Sequence, residues 1–233
     1  MSRLNDTEET EPRDQIAAAL RDVDAYEALV RLTREYLITL RLSDPPTDTL
    51  ARVTDLVQQA TKLLAAHRGD VDRMHGATGP FVPTGRHSKQ AGETLAWHFS
   101  FSPVVGVLDP QSPPIELTFD GERVHGRAVV DARFGGPPHT VHGGVVALIF
   151  DELLGNTNYC LGLGAMTGTL QIRYQRPTPL DRELALVGWV DRVEGRKIFT
   201  RGTISVDGEV TASAEGIFLQ VSEAVASALR RTP

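Results

Sequence analysis

His142-Gly-Gly-Val145-Val-Ala-Leu-Ile-Phe150-Asp151-Glu152-Leu-Leu154 is the stretch on which the fold turns. From Val145 to Leu154 every position is apolar except Asp151 and Glu152. A helix built from it has no polar face broad enough for a surface helix and must be buried on most sides. It runs for about 18 residues, grows polar toward its end and stands alone, which argues against a membrane span. Some other part of the chain has to wrap it.

On both sides of this helix the hydrophobic period changes to two. Upstream, Ile115, Leu117 and Phe119 alternate with polar residues, Asp120-Gly121 offers a tight turn, and Val124, Ala128 and Val130 follow, the pattern of a β-hairpin. Downstream, strands are predicted at Thr167 to Tyr174, Glu183 to Val193, Lys197 to Val206 and Glu209 to Val221. The turns Glu194-Gly195-Arg196 and Asp207-Gly208 suit directly adjacent antiparallel neighbours. Two strands, one buried helix and four strands give no repeated strand-helix-strand crossover, so the class is α+β with an antiparallel sheet. A curved sheet wrapped around one central helix is the hotdog arrangement.

The remaining segments flank this domain. Residues 1–13 are polar and acidic, the composition of a disordered tail. From Asp14 to the Pro45-Pro46 pair, Ile16, Leu20, Val23, Leu29, Val30, Leu37 and Leu40 recur at three- and four-residue steps, predicting one amphipathic helix. A second begins near Asp48, carries Leu50, Val53, Leu56, Val57, Ala60, Leu63 and Leu64 on one stripe, and stops at Gly69. Residues 14–68 therefore read as an N-terminal helical hairpin whose stripe packs on the main domain or on a partner subunit. Residues 69–96 form a Gly- and Pro-punctuated connector, 97–221 the hotdog domain, and 222–233 a C-terminal tail.

The 233 residues carry a net charge of −6, which argues against nonspecific nucleic-acid binding. The single Cys160 excludes an intrachain disulfide framework, and no N-terminal run has the form of a signal peptide or a membrane span. These features predict a cytoplasmic protein.

Short motifs then narrow the reading. Gly136-Pro-Pro-His-Thr-Val-His142-Gly143-Gly144 followed by Asp151, Met166-Thr167, Tyr174-Gln-Arg176-Pro177-Thr-Pro179-Leu180 and Val193-Glu-Gly-Arg196-Lys197 occur in order along the chain. This set resembles the HGG-type hotdog thioesterases related to the phenylacetate-pathway enzymes, and most of all the animal mitochondrial long-chain acyl-CoA thioesterase subgroup. The resemblance covers about Ser102 to Val221 and leaves the helical extension outside. It implies hydrolysis of acyl-CoA to free acid and CoA by a homodimer or dimer of dimers; no cofactor or metal is expected. The apolar helix and the absence of evident polar specificity groups suggest a medium- to long-chain fatty acyl group, with the Gly162-Leu163-Gly164 region as room for an aromatic acyl group instead.

The residues also make a mechanical statement of their own. Gly143 stands where the N–H groups of a helix start are unpaired and the helix dipole favours negative charge, so it suits a developing oxyanion. Asp151 is the candidate nucleophile or general base, a carboxylate set in an apolar run. Eight residues at about 1.5 Å rise separate the two by roughly 12 Å, too far for both to touch one thioester carbonyl. Two such helices antiparallel across a two-fold axis would bring the Gly143 end of one to Asp151 of the other, and the resemblance implies that arrangement. Glu152, about 100° around the helix, points elsewhere. The resemblance further implies that Thr167 orients the carboxylate or its water, that His142 shapes the helix entrance with a candidate catalytic role, and that Gly144 and Lys197 handle substrate. Where the phenylacetate-type pattern has an Asn upstream of HGG, this loop has Gly136-Pro137-Pro138. Arg173, Arg176, Arg196 and Lys197 are the candidate contacts for the CoA phosphates.

Other signals carry less. His139 and His142 have metal-like spacing without a Cys or H-E-x-x-H context. Gly162, Gly164 and Gly168 follow a helix and lack dinucleotide-loop gaps. Cys160 reads as packing material, and no G-x-S-x-G elbow is present. Two competing functions fit the same fold: a hotdog enoyl-CoA hydratase or dehydratase, and a non-enzymatic acyl-CoA-binding or sensor protein.

Overall fold

In a computed structural model, residues 12–68, 91–92 and 94–221 are described. The expected terminal tails and the connector fall almost wholly outside them. β1 (Ile115–Phe119), β2 (Arg123–Val129), β3 (Ala165–Tyr174), β4 (Glu183–Glu194), β5 (Lys197–Val206) and β6 (Glu209–Gln220) form one antiparallel sheet in the order β1-β2-β4-β5-β6-β3. The central helix, here α4, spans Gly143–Cys160. The fold is the expected hotdog, and the predicted strands lie within two residues of the observed ones.

Alternation in the strands decides which face meets the helix. β1 and β2 alternate buried and exposed along their length, with Leu117, Phe119, Val124 and Ala128 inward. Phe150, Leu153 and Leu154 of α4 pack with Leu184, Ile198, Ile204 and Phe218 from the sheet. Each such side chain contributes about 1.5–3 kcal/mol of transfer free energy, so α4 is held as firmly as any part of the core. The closest approach is made over glycine: a Cβ at Gly188 would lie 2.4 Å from the Thr157 hydroxyl oxygen, and one at Gly202 3.0 Å from Leu154. Any side chain at Gly188 would push the helix, and with it Asp151, off the sheet.

The N-terminal region is helical as expected, with one correction. The single helix expected from Asp14 to the two prolines is divided into α1 (Pro12–Ala19) and α2 (Val23–Leu42). Asp22 is extended between them, and its carboxylate accepts the Ala25 N–H at 2.9 Å. A side-chain cap here starts a new helix where the apolar period alone runs straight through. Ile16 and Val23 pack with Leu108, Trp97 and Phe101. Arg34 of α2 donates to the Gly106 carbonyl at 2.8 Å, the Asp109 carbonyl at 2.6 Å and the Ser112 hydroxyl at 2.7 Å, fastening α2 to the loop before β1. α3 (Thr47–Ala65) behaves differently and buries none of its side chains.

Candidate functional site

The start of α4 is shaped by His142. It is the N-cap residue, and its Nδ1 accepts the Gly144 N–H at 3.0 Å. Its carbonyl accepts the N–H groups of Val145 and Val146. Capping thus engages one ring nitrogen of His142 and satisfies the Gly144 N–H, which leaves Gly144 without a free amide for a ligand. The Gly143 N–H is different: among the described residues nothing accepts it. Tyr174 on β3 donates its hydroxyl to the Gly143 carbonyl at 2.8 Å, holding the peptide unit that follows the free amide. A cleft of about 380 Å³ opens at this end of the helix, lined by Pro137, Thr140, Gly143, Val146, Tyr174 and Arg176 among others.

Two turns further along α4, Asp151 lies at the edge of the buried region, half-exposed. Thr167, on β3, donates its hydroxyl to Asp151 Oδ1 at 2.7 Å. That bond leaves Oδ2 for a substrate or water. β3 carries a register shift between Thr167 and Thr169 opposite β6, a bulge of the kind that re-aims a side chain. Thr167 and Asp151 are therefore brought together from 16 residues apart, and Tyr174 and Gly143 from 31.

Glu152 turns away from Asp151, as the helix geometry requires, but not toward solvent. Its Oε1 accepts the Ser102 hydroxyl at 3.0 Å and the Asn156 side-chain amide at 3.3 Å. Ser102 in turn accepts the Val104 N–H, so Glu152 holds the loop that Arg34 fastens from the other side. Burial raises the Glu152 carboxyl above its ordinary value; the two hydrogen bonds pull it down, and the neighbouring Asp151 charge raises it again. A carboxyl raised in the folded state favours folding most when it is protonated in both states, and loses stability as pH climbs from the unfolded value, about 4.3, toward the folded one. Glu152→Gln keeps the shape without the charge. Its Tm relative to wild type should therefore rise between about pH 4 and neutrality. A Tm difference that shrinks over this range in a melting series would contradict that assignment.

The candidate basic residues do not form one cluster within the chain. Arg173 and Arg176 lie at the Gly143 end of β3, and Arg176 is paired with Glu209 at 2.6 Å. Arg196 and Lys197 lie at the β4–β5 turn, where Lys197 stands opposite Leu219 of β6. Met166, beside Thr167, faces the same Leu219 on the other side, so this second pair belongs to the Asp151 end. Arg196 donates to the Gln220 carbonyl at 3.1 Å. Tyr174 and the Ser102–Glu152–Asn156 group were not among the expected site residues. Tyr174 was visible as part of a motif, whereas nothing local marks Ser102 as a partner for a residue 50 positions away.

Residues 139–213 match the family model described as Thioesterase superfamily. Over 88 residues the chain is 36% identical to the acyl-coenzyme A thioesterase THEM4 of Bos taurus, covering 37% of this chain and 36% of that protein. It is 31% identical over 88 residues to the acyl-coenzyme A thioesterase THEM5 of Homo sapiens, with the same two shares. The matched region thus spans little more than a third of these curated relatives. A crystal structure of a thioesterase superfamily protein superposes with a TM-score of 0.69 at 30% identity, covering 83% of this chain and 90% of that one.

Proposed function

Because the chain belongs to the thioesterase superfamily, we propose that it hydrolyses acyl-CoA thioesters, with a site assembled from two copies. One observation carries this reading: a carboxylate aligned by a hydroxyl, Asp151 and Thr167, lies on the same helix as a Gly143 N–H that has no acceptor among the described residues. Both belong to thioester hydrolysis, in which a base or nucleophile approaches the carbonyl carbon while a donor holds the oxyanion.

The separation of roughly 12 Å between them along the helix means that they serve different carbonyls within one chain. The unpaired edge of β3 runs beside Asp151, with Met166 and Tyr174 exposed on it and Leu148 exposed on α4. A second copy docked there in antiparallel sense would bring its Gly143 to the first copy's Asp151. The same rotation would carry Arg173 and Arg176 of one copy toward Arg196 and Lys197 of the other. Four cations split between two ends of one chain then gather around one CoA.

In the general-base route, Asp151 takes a proton from water as the water oxygen bonds to the thioester carbon. The Gly143 N–H holds the oxyanion, and collapse of the intermediate expels CoA thiolate, which takes up the proton. In the nucleophilic route, the Asp151 oxygen bonds to the carbon itself, CoA leaves, and water opens the resulting mixed anhydride. His142, with Nδ1 on the cap, shapes the oxyanion end. A fatty acyl chain of medium or long length is the proposed acyl group, since the α4 surface beside the site offers Val145 and Leu148 and few polar groups.

The test is a thiol-release assay across acyl-CoA chain lengths, with a parallel hydration assay on enoyl-CoA. Thiol release rising with chain length is expected. Hydration without thiol release, or binding without turnover, would move the hydratase or the sensor reading ahead, and hydrolysis confined to short or aromatic acyl groups would correct the acyl assignment. Thr167→Val, which keeps the β-branched shape and loses the hydroxyl, is expected to lower kcat by about tenfold through the lost charge-assisted bond. An unchanged kcat would remove Thr167 from the site.

A further inference from the structure

We infer that Tyr174 is a positioning residue for the oxyanion donor, the working end of a splint, residues 174–180, that holds the start of α4 in place. The inference rests on the proposed role of the Gly143 N–H. Two consecutive glycines open α4, and glycine adopts backbone conformations closed to other residues, so a Gly-Gly start does not fix the direction of its own N–H groups. A donor stabilises an oxyanion best when it is already aimed as the charge develops. Contacts from outside the helix have to supply that aim.

Such contacts lie on both sides of Gly143. Before it, the His142 N–H donates to the Phe134 carbonyl at 2.9 Å. After it, the Gly144 N–H donates to His142 Nδ1, and the Gly143 carbonyl accepts the Tyr174 hydroxyl at 2.8 Å. The His142 contacts belong to the entry loop and the helix cap, whereas Tyr174 ties Gly143 to the sheet. A Cβ at Gly143 would lie 3.7 Å from the Tyr174 ring, so the ring walls this residue as its hydroxyl holds it.

The residues after Tyr174 make the tie stiff. The N–H groups of Gln175 and Arg176 both donate to the Thr211 carbonyl of β6, at 2.9 and 3.0 Å. Thr178 is buried and donates its hydroxyl to that of Thr211 at 3.0 Å, which donates in turn to the Ile204 carbonyl at 3.3 Å. Pro177 and Pro179 fix their own φ and bring no N–H that needs an acceptor. From this segment the Thr178 carbonyl accepts the Val141 N–H at 2.8 Å, and the Leu180 N–H donates to the His139 carbonyl at 3.0 Å. The splint therefore grips the loop entering α4 as well as its first residue. Tyr174 itself is 52% exposed, so its hydroxyl bond rather than core packing is what a phenylalanine would lack.

The experiment is a double-mutant cycle of Tyr174→Phe with Gly143→Pro in the full-length protein, reading kcat, KM, Tm and sedimentation mass with the best acyl-CoA of the chain-length series. Tyr174→Phe is expected to lower kcat by roughly three- to tenfold, as for one lost hydrogen bond, with KM, Tm and mass near wild type. In the Gly143→Pro background, which has no N–H left to aim, the same substitution should add no further loss. Equal losses in the two backgrounds, or a loss accompanied by a lower mass, would show that Tyr174 serves the fold or the assembly, and would overturn the inference. An unchanged kcat in Tyr174→Phe beside an impaired Gly143→Pro would overturn it and leave the oxyanion donor standing, whereas a fully active Gly143→Pro would bring down both.

Discussion

Asp151→Asn is expected to lower kcat by about 10²- to 10⁴-fold, the usual contribution of a positioned general base, while Tm and acyl-CoA affinity stay near wild type. Asn preserves the volume of the side chain and an oxygen that can still accept the Thr167 hydroxyl. It removes the anion, and with it both the capacity to take a proton and the capacity to attack carbon. The fold has little at stake, because Asp151 is half-exposed while its neighbours Ile149, Phe150, Leu153 and Leu154 make the core contacts. Steady-state kcat, equilibrium binding and thermal melting on one preparation separate these effects. A folded variant with near-normal turnover would take Asp151 out of the chemistry and leave acyl-CoA binding as the better account. Single turnover in isotopically labelled water then tests the nucleophilic route, since label enters the Asp151 carboxylate only where water opens a mixed anhydride at the aspartyl carbon.

The sheet was legible because each strand has one wet face and one dry face, so the period of two is written into Ile115-Glu-Leu-Thr-Phe119 and its partners. α4 was legible for the opposite reason: a helix enclosed on most sides has almost no period. Two things were not legible. The break at Asp22 depends on one side-chain cap, which the continuing apolar steps on either side conceal. The burial of Glu152 depends on Ser102, a residue in a loop without period whose place is fixed by Arg34 and by its own backbone turns. Asp151 and Gly143 could be named as candidates because a carboxylate in an apolar run and a Gly-Gly helix start within an HGG-type motif are visible in the chain, but their neighbours required the sheet: Tyr174 reaches Gly143 only because β3 lies along α4. The role of α3 was half legible. Its stripe was plain and its cover was expected either on the main domain or on a partner; among the described residues the main domain does not bury it.

Gly143→Pro should separate oxyanion stabilisation from helix formation, with kcat/KM falling by about 10²- to 10³-fold, as for the loss of one oxyanion donor, and Tm nearly unchanged. Proline in a helix interior is disruptive because it removes a bonded N–H and collides with the preceding turn. Gly143 is the first residue after the cap, where the N–H has no helical partner and proline is well tolerated. The preceding residue is compatible as well, since His142 has φ −60° and ψ 134°, an extended conformation of the kind that precedes proline. A Cβ at position 143 would meet the Tyr174 ring at 3.7 Å, an ordinary contact. The substitution therefore removes one hydrogen-bond donor and little else. Gly143→Ala retains the amide and serves as the steric control, with activity expected close to wild type. If proline and alanine behave alike, the Gly143 N–H does not hold the oxyanion. Loss of activity in proline alone, with Asp151 intact on the same helix, would also support the two-copy site: mixing inactive Gly143→Pro chains with inactive Asp151→Asn chains should restore activity at the one interface that combines an unaltered amide with an unaltered carboxylate.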